Sequence, residues 1–466
     1  MLEPLWLAED AADATKGRLI GADSWLATGV SIDTRTLEPG DLFVALKDAR
    51  DGHDFIAQAF EKGACAALVN EPEKGSGLGP MLVVDDVLGG LTALGEAARD
   101  RNQGRRVAVT GSVGKTSTKE ALAVCLAASG VTHASTKSYN NHWGVPLTLA
   151  RMPASSRYGV FEMGMNHRGE ILPLTKLVRP HVAIVTWIAP AHVEALGSLD
   201  AIADEKGDVF AGLEQGGVAL VPNEAPSASR VLAAAQAQAQ AGAIIRFGRD
   251  AGCQARLLKF DMHDDHSMAE ADIFGRQIRY RIGAPGAHWA LNSVAALAAT
   301  DVAGGDLHAA ANALATFEAP AGRGQVSVIT APFGSFTLLD DAYNANPSSM
   351  EAAFKTLGAR TPGAGGRRIA ALGDMLELGP DEAAYHAGLG PQLEGAADIV
   401  FCAGSRMKAL WDALPERQRG VYADSADALA LQLKDALRAG DVLLVKGSNG
   451  SRMFRVVEAL KALATR

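Results

Sequence analysis

The chain has 466 residues, of which 48% are hydrophobic and 21% charged, a composition typical of a globular protein with enough apolar material for several cores. It excludes a wholly disordered chain. The 44 basic and 53 acidic residues give a formal net charge of −9, which argues against a broad nucleic-acid or anionic-membrane surface, although a local loop can still bind phosphate. The four cysteines are far apart and form no CxxC pair, so neither a disulfide framework nor a zinc site is indicated.

The beginning of the chain carries acidic residues where a signal peptide would carry Lys or Arg. The longest apolar stretch, residues 182–191, is about half as long as the ~20 residues that a membrane-spanning helix needs. These two features predict a soluble, cytoplasmic protein without a membrane span.

Two stretches of the sequence indicate domain boundaries. The first is the charged run 99–106, and the second, 318–324, interrupts an Ala-rich helical pattern with proline and glycine. At roughly 150 residues per domain, the length corresponds to about three domains. We therefore predict domains over residues 1–103, 104–317 and 318–466.

Each predicted domain alternates short apolar runs with helical patterns, which indicates an α/β fold with a mostly parallel sheet. In the first domain we predict a helix over 56–62 and strands over 41–46, 64–69 and 81–84. In the second and third we predict strands over 107–110, 158–162, 182–186, 218–221, 336–340, 368–372, 399–402 and 442–445. The Ala/Gln-rich stretch 229–241 is predicted to be a solvent-facing helix.

The strongest local signal is a buried strand that leads into a glycine-rich turn and then a helix, predicted over 119–128. Such a turn can point N–H groups at an anion, and the helix N-terminus adds positive potential. Lys115 would reach the β- and γ-phosphates of a nucleotide, and the Thr116 hydroxyl would ligate Mg²⁺. The loop is shorter than the usual GxxxxGK[ST], and an ordinary strand–helix turn is the alternative. The predicted phosphate-binding residues are Thr110, Gly111, Ser112, Val113, Gly114, Lys115, Thr116 and Ser117.

Two further strand ends present candidate metal ligands. Glu162 closes the predicted strand 158–162, and His192 follows the strand 182–186. Because the carboxyl ends of parallel strands meet at one edge of a sheet, we expect both side chains near the phosphate loop. Mg²⁺ prefers hard oxygen ligands and keeps several waters, so Thr116, one carboxylate and phosphate oxygens suffice. From the residues alone, Lys206 is a solvated helix charge and the His-Asp-Asp-His stretch 263–266 is an exposed turn.

Motifs along nearly the whole chain resemble the Mur ligase family. They are the phosphate loop, the asparagine of 287–292, Arg323, and the segments 31–35, 39–46, 51–55, 139–149, 163–171, 340–347, 373–379 and 446–448. The string Asp-Asp-Ala-Tyr-Asn-Ala-Asn-Pro at 340–347 is similar to one branch of the family and not to its sister branches. Three positions depart from the pattern: Met165 stands where Ala is more usual, Asn449 where Arg is expected, and Phe454 where Glu is expected.

The resemblance implies a three-domain α/β architecture. An N-terminal UDP-sugar-binding domain and a C-terminal Rossmann-like domain, which closes on ATP and the incoming dipeptide, would flank a central P-loop domain that binds ATP. The implied activity is an ADP-forming ligase that joins D-Ala-D-Ala to UDP-N-acetylmuramoyl-tripeptide through an acyl phosphate, in peptidoglycan precursor synthesis. The implied partners are these two substrates, with no nucleic acid, no membrane span and a monomeric chain.

The resemblance also assigns roles to individual residues. Two Mg²⁺ ions would be held by Thr116, Glu162, His192 and Lys206, the lysine being carbamylated and hence anionic. The catalytic residues would be Lys115, Glu162, His192, Lys206 and Arg323. ATP would be bound, beyond the phosphate loop, by Asn292, Arg323, Asp341, Tyr343 and Asn346. The two other substrates would be bound by Ser31, Thr34, Arg35, Asp51, His53, Asn140, Asn141, Asn166, His167, Lys446 and Ser448.

Two other interpretations compete with this one, the first from within the same family and the second from a different class of protein. Another ligase of the same family, such as the branch that adds diaminopimelate or a folylpolyglutamate synthetase, is weakened by the 340–347 string and by the UDP-type N-terminal segments. A non-catalytic P-loop module or a regulatory ATPase would account for the phosphate loop. It would leave Asn292, Arg323, Asp341 and Lys446 without a role.

Overall fold

A computed structural model describes residues 4–238 and 241–465. Three sheets, each built from a separate part of the chain, carry nearly all of the strands. Helices pack on the sheets, and buried apolar side chains fill the layers between them. The chain therefore has the three-part α/β architecture expected from its alternating pattern.

The first sheet comes from the N-terminal part of the chain and has the strand order β2-β7-β6-β5-β4. Strand β2 is antiparallel to β7, and the other neighbours are parallel. A separate two-stranded sheet pairs β1 with β3. The elements are β1 (Trp6–Leu7), α1 (Ala8–Thr15), β2 (Arg18–Ile20), β3 (Leu26–Ala27), β4 (Gly29–Ser31), β5 (Asp41–Val44), α2 (Ile56–Glu61), β6 (Ala66–Val69), β7 (Met81–Val83) and α3 (Val87–Arg101).

The central part of the chain forms the largest sheet, with nine strands in the order β16-β15-β14-β13-β12-β11-β8-β10-β9. Strands β8 to β14 run parallel, whereas β14, β15 and β16 are joined antiparallel. The strands are β8 (Arg105–Thr110), β9 (Thr132–Ala134), β10 (Tyr158–Glu162), β11 (Val182–Val185), β12 (Gly217–Pro222), β13 (Ala241–Gly248), β14 (Ala255–Met262), β15 (Ser267–Ile273) and β16 (Arg276–Ile282). The helices are α4 (Lys115–Ala127), α5 (Gly144–Ala150), α6 (Ile171–Val178), α7 (Val193–Leu196), α8 (Leu199–Gly207), α9 (Ala228–Gln236), α10 (Ala287–Val302) and α11 (Leu307–Ala313).

The C-terminal part forms a six-stranded sheet in the order β17-β18-β22-β19-β20-β21. Strand β17 is antiparallel to β18, and the remaining neighbours are parallel. The strands are β17 (Gln325–Ala331), β18 (Gly334–Asp341), β19 (Arg368–Gly373), β20 (Ile399–Ala403), β21 (Arg419–Ala423) and β22 (Val442–Lys446). The helices are α12 (Pro347–Gly358), α13 (Glu382–Ala387), α14 (Gly390–Leu393), α15 (Lys408–Ala413), α16 (Ala426–Ala436) and α17 (Phe454–Lys461).

Two helix predictions need correction. The phosphate-loop helix begins at Lys115, directly after the glycine turn, instead of at residue 119. The predicted solvent-facing helix 229–241 is shorter: α9 ends at Gln236, and Ala241 already belongs to β13. Residues 239 and 240 of that stretch lie outside the described residues. This helix is not wholly solvent-facing, because Val231 and Ala235 are buried against the central sheet.

At the tip of the β14–β15 hairpin, residues 263–265 are exposed as predicted, and His266 is half-buried. None of the helices among residues 4–238 and 241–465 has the length and apolar character needed to cross a bilayer.

Candidate functional site

The phosphate loop lies at the carboxyl end of β8, in the middle of the central sheet. Its turn uses Gly111 at φ 149° and Gly114 at φ 84°, backbone conformations that favour glycine. A Cβ atom added to Gly111 would stand 2.0 Å from Oγ1 of Thr186, just beyond β11. That hydroxyl lies 2.5 Å from the carbonyl oxygen of Val113 and 3.1 Å from that of Thr110. Thr186 therefore holds the turn closed from the neighbouring strand.

The loop contains polar groups that its own chain does not satisfy. The hydroxyls of Thr110 and Ser112 are buried and have no hydrogen-bond partner among the described residues. Lys115 Nζ donates a 2.8 Å hydrogen bond back to the carbonyl oxygen of Gly111. Burial lowers the pKa of the Lys115 ammonium, the Glu162 carboxylate opposes that shift, and Arg323 adds to it. Orphaned hydroxyls beside a cation and a helix N-terminus fit a bound polyanion.

Glu162 lies beside the start of the phosphate-loop helix, because β10 pairs with β8. Its Oε2 accepts a 2.8 Å hydrogen bond from the Thr116 hydroxyl, and its Oε1 accepts a 2.8 Å bond from the Asn140 side-chain amide. The carboxyl group is buried, and the Glu162 backbone N–H donates to the Ser135 hydroxyl at 3.2 Å. A hydroxyl and a carboxylate oxygen next to a phosphate site form the hard-oxygen donor set that suits Mg²⁺.

His192 precedes α7 at the same edge of the sheet, in a left-handed backbone conformation with φ 59°. Its Nδ1 lies 2.5 Å from Oε2 of Glu377, which belongs to the C-terminal part of the chain. The bonded imidazole holds the pKa of the Glu377 carboxyl below its usual range. The Nδ1 atom of His192 is thus bonded to a residue of the C-terminal part of the chain.

Lys206 lies near the end of α8 and is 1% exposed, so the expectation of a solvated helix charge is wrong. No hydrogen bond from its ammonium to another residue is found within 4–238 or 241–465. Burial holds the pKa of Lys206 well below its ordinary value, and the positive charge of Lys115 lowers it further. The charge of the neighbouring Glu205 opposes this shift only in part. The Glu205 carboxylate accepts hydrogen bonds from the backbone N–H groups of Gly169 and Ile171 and none from Lys206.

Two predicted ATP-binding side chains, those of Asn292 and Arg323, lie near the phosphate loop. The Asn292 amide lies 3.1–3.3 Å from the position that a Cβ on Gly114 would take. Arg323 donates a hydrogen bond of 3.3 Å to the Ser138 hydroxyl, and its guanidinium lies 4.2 Å above the ring of Tyr343. The positive charge of Arg323 also lowers the pKa of Lys115. The structure therefore brings both residues to the phosphate loop.

The predicted C-terminal residues form a cluster around the end of β22. Lys446 Nζ donates to Asp341 Oδ2 at 2.6 Å and to the carbonyl oxygen of Asn344 at 3.0 Å. The Ser448 hydroxyl donates to the carbonyl oxygen of Ala345 at 3.2 Å. Asn346 is buried and caps α12, because its side-chain oxygen accepts the N–H of Ser349. Of the predicted residues in this cluster, Tyr343 is the exposed one and so the most open to a ligand.

In the N-terminal part, the predicted substrate residues are bonded largely to one another. His53 is buried, with Nδ1 2.7 Å from Asp51 and Nε2 accepting the N–H of Asn70 at 3.2 Å. Asp51 also accepts a 2.8 Å bond from Lys74. His53 therefore has no free ring nitrogen for a ligand. It does line a cleft of about 280 Å³ that also contains Lys47 and, from the central part of the chain, Trp143.

The remaining predicted substrate residues differ in how open they are. Ser31 and Thr34 are buried and bonded to Asp33 and Gln58, whereas Arg35 is exposed and paired with Asp33. In the central part, Asn141 caps the start of α5 by accepting the N–H of Gly144 at 2.9 Å. Asn166 and His167 are exposed and bonded to Glu170. Asn140, also predicted to bind substrate, donates a hydrogen bond to Glu162.

Sequence reasoning missed three residues that support the site. Thr186 forms a hydrogen bond with the phosphate loop, and Ser138 accepts one from Arg323. Glu377 pairs with His192. Thr186 ends a predicted strand, so its position at the sheet edge was a usable signal. Glu377 lies inside the resembling segment 373–379, but no local pattern indicates that it faces a histidine in another domain.

Family models match most of the chain. The model of the Mur ligase family catalytic domain matches residues 27–124, that of the Mur ligase middle domain matches 109–300, and that of the Mur ligase glutamate ligase domain matches 307–449. The phosphate loop, Glu162, His192 and Lys206 all fall within the middle-domain match. Together the three matches follow the order of the three sheets along the chain.

Individual relatives agree with the family models. The UDP-N-acetylmuramoyl-tripeptide–D-alanyl-D-alanine ligase of Escherichia coli is 36% identical over 467 residues, covering 97% of this chain and 98% of its own, and that of Rickettsia prowazekii is 30% identical over 92% and 94%. The crystal structure of MurF from Acinetobacter baumannii superposes with a TM-score of 0.84 at 28% identity, covering 99% of both chains. MurF from Thermotoga maritima, solved with ADP, shares the fold at 24% identity and a TM-score of 0.75 over 93% and 97%. This chain therefore belongs to the Mur ligase family.

Proposed function

We propose that this protein joins D-Ala-D-Ala to UDP-N-acetylmuramoyl-tripeptide and converts ATP to ADP and phosphate in the same reaction. The names of its full-length relatives from Escherichia coli and Rickettsia prowazekii support this substrate pair. The observation that best supports this chemistry is the hydrogen bond between Thr116 and Glu162, next to Lys115 of the phosphate loop. Both substrates of a phosphoryl transfer to a carboxylate are anions, so a ligase needs cations between them. Lys115 supplies one positive charge, and Thr116 and Glu162 would hold Mg²⁺ as another.

The reaction must first make a carboxylate electrophilic. The terminal carboxylate of the tripeptide attacks the γ-phosphorus of ATP, and the resulting acyl phosphate loses phosphate when the amine of D-Ala-D-Ala attacks its carbonyl carbon. Lys115 and Arg323 offset the charge that develops on the transferred phosphoryl group. When bound, Mg²⁺ would neutralise phosphate oxygens next to Thr116 and Glu162. Asn140 holds the Glu162 carboxylate in place through its other oxygen.

We assign a second cation site to His192 and Lys206. A fully buried lysine whose ammonium is destabilised is neutral more often than an exposed one, and a neutral amine is the form that adds carbon dioxide. The resulting carbamate is an anion with two oxygen donors, which suits Mg²⁺ better than an ammonium does. Carbamylation of Lys206 would also relieve its repulsion with Lys115.

The three parts of the chain take different substrates in this proposal. Residues 1–103 bind the UDP-sugar, with Arg35 and the cleft beside His53 as the accessible surface. Residues 104–317 bind ATP through the loop and Asn292. Residues 318–466 close on ATP and the dipeptide, using Tyr343, Asp341, Lys446 and Ser448. Both ATP and the UDP-linked tripeptide are cytoplasmic metabolites, so we place the reaction in the cytoplasm.

An omit-one assay of phosphate release tests the proposal. The complete mixture holds ATP, Mg²⁺, D-Ala-D-Ala and a UDP-muramoyl tripeptide, with diaminopimelate or lysine as its third residue in parallel wells. Release that requires both the tripeptide and the dipeptide is expected. Release with a UDP-muramoyl dipeptide and a single amino acid would instead identify a sister ligase. Release that ignores all acceptors would leave only an ATPase.

A further inference from the structure

His192 and Glu377 meet across the boundary between the central and C-terminal parts at a point where both backbones are strained. Both residues adopt left-handed conformations, with φ 59° and 63°, which are uncommon for residues other than glycine. The N–H of Glu194 donates to the main-chain carbonyl of Glu377 at 3.4 Å, so backbone contact reinforces the side-chain pair. Conformations of this kind persist where the surrounding structure imposes them, and they cluster at functional sites.

The side-chain contact determines which imidazole nitrogen can bind a cation. An ionised carboxylate only accepts hydrogen bonds, so the Nδ1 atom that lies 2.5 Å from Glu377 Oε2 must carry the hydrogen. In the neutral form of the ring, the lone pair is then at Nε2. Histidines that bind metals typically donate their other ring N–H to a carboxylate, which fixes the tautomer and the ring orientation. Glu377 supplies that carboxylate from a different domain.

We propose that Glu377 is a positioning residue that orients His192 for cation binding through Nε2, and that it does so only while the C-terminal part is docked on the central part. The inference rests on the proposed role of His192 as a Mg²⁺ ligand. Because coupling between two equilibria is reciprocal, a cation bound at His192 must in turn favour the docked arrangement. Glu377 thereby makes completion of the cation site depend on the position of the domain that brings in the dipeptide.

The test is a titration of the full-length protein with Mn²⁺ in the presence of a non-hydrolysable ATP analogue, with free Mn²⁺ measured by electron paramagnetic resonance. Glu377→Ala is expected to lower the affinity for Mn²⁺ at one of the two sites by about ten- to a hundredfold and to leave the affinity at the other site unchanged. Glu377→Gln should weaken it less, since its amide oxygen can still accept from Nδ1. The matched control Glu194→Gln, which removes a nearby exposed carboxylate, should bind like the wild type.

Two further variants separate this inference from the proposed function. His192→Ala and the double variant His192→Ala/Glu377→Ala should lose the same amount of Mn²⁺ affinity, because Glu377 acts through His192. If His192→Ala weakens binding and Glu377→Ala does not, the positioning role is wrong and the cation role of His192 stands. If neither weakens binding, both assignments are wrong. If Glu194→Gln matches Glu377→Ala, the effect is one of general charge, which also overturns the inference.

Solution scattering gives a second readout. Saturating Mn²⁺ with the ATP analogue is expected to shift the wild-type protein towards the compact arrangement and to shift Glu377→Ala less. Equal compaction of the two proteins would contradict the coupling. Since the Glu377 side chain is 56% exposed, the substitution leaves the core intact, and thermal unfolding close to that of the wild type checks this.

Discussion

The hydroxyl of Thr116 donates a 2.8 Å hydrogen bond to Oε2 of Glu162, which joins the first turn of the phosphate-loop helix to the end of the neighbouring strand. The two residues are 46 positions apart in sequence, and parallel pairing of β8 with β10 brings them together. This contact places a hydroxyl and a carboxylate where a cation bound to nucleotide phosphates would lie. The activity of the protein should therefore depend on the groups that surround this pair.

Lys115→Ala should lower kcat/KM for phosphate release by about a hundred- to a thousandfold, equivalent to about 2.7–4 kcal/mol of transition-state stabilisation. The reason is that no other ammonium lies on the phosphate loop itself. Lys176→Ala, which removes an exposed lysine from α6, is the control and should be neutral. A folded Lys115→Ala protein with wild-type turnover would contradict the phosphate-site assignment.

Asn140→Ala should raise the Mg²⁺ concentration needed for half-maximal activity by about ten- to a hundredfold, with a smaller change at saturating Mg²⁺. The Asn140 amide holds Glu162 Oε1, so its loss frees the carboxylate to rotate away from Thr116. The measurement is initial rate against Mg²⁺ concentration. An unchanged Mg²⁺ requirement would mean that Glu162 needs no such support or binds no cation.

Lys206 should carry a carbamate in the active protein. Growth or incubation with ¹³C-bicarbonate should give a carbamate resonance in the ¹³C spectrum, and this resonance should be missing from Lys206→Arg. The arginine variant should lose at least about a hundredfold in kcat, as expected when a preorganised charged group is removed. Full activity of Lys206→Arg would rule out a carbamate as a cation ligand.

Asp51→Ala should destabilise the N-terminal part at neutral pH by about 1 kcal/mol or more, because it removes a cap and the anchor of His53 and Lys74. The hydrogen bond from Lys74, followed by those from His53, holds the pKa of Asp51 below its usual range. For a depressed carboxyl pKa, the stabilisation is complete above the unfolded value of about 3.9 and is lost as the pH falls through the folded value. The stabilities of wild type and variant, measured by urea unfolding, should therefore converge in acid. A constant difference at all pH values would contradict this.

The core of the site was predictable because it follows from local patterns. Apolar runs predicted the parallel strands, and the meeting of strand ends at one sheet edge placed Glu162 next to Thr116. The shortened helix α9 was not predictable in the same way. Its Ala-rich sequence favours a helix as far as residue 241, yet pairing of β13 with β12 takes Ala241 into the sheet.

Lys206 and Glu377 show where sequence reasoning reaches its limit. The acidic neighbours Asp204 and Glu205 make residue 206 look like part of a solvated helix face, but α8 buries it. That burial comes from tertiary packing, which the helix's own sequence does not encode. The contact of Glu377 with His192 joins two loops in different domains, and no periodicity describes such a pairing. Both features follow from how separate elements pack.

The most direct test of the proposed ligase reaction follows the oxygen atoms of the tripeptide carboxylate. The tripeptide is labelled with ¹⁸O at its terminal carboxylate and turned over with ATP and D-Ala-D-Ala, and the phosphate released is analysed by mass spectrometry. An acyl phosphate places one carboxylate oxygen in each phosphate, so the account predicts one ¹⁸O in phosphate for every amide bond formed. Unlabelled phosphate, or phosphate released without amide formation, would contradict it.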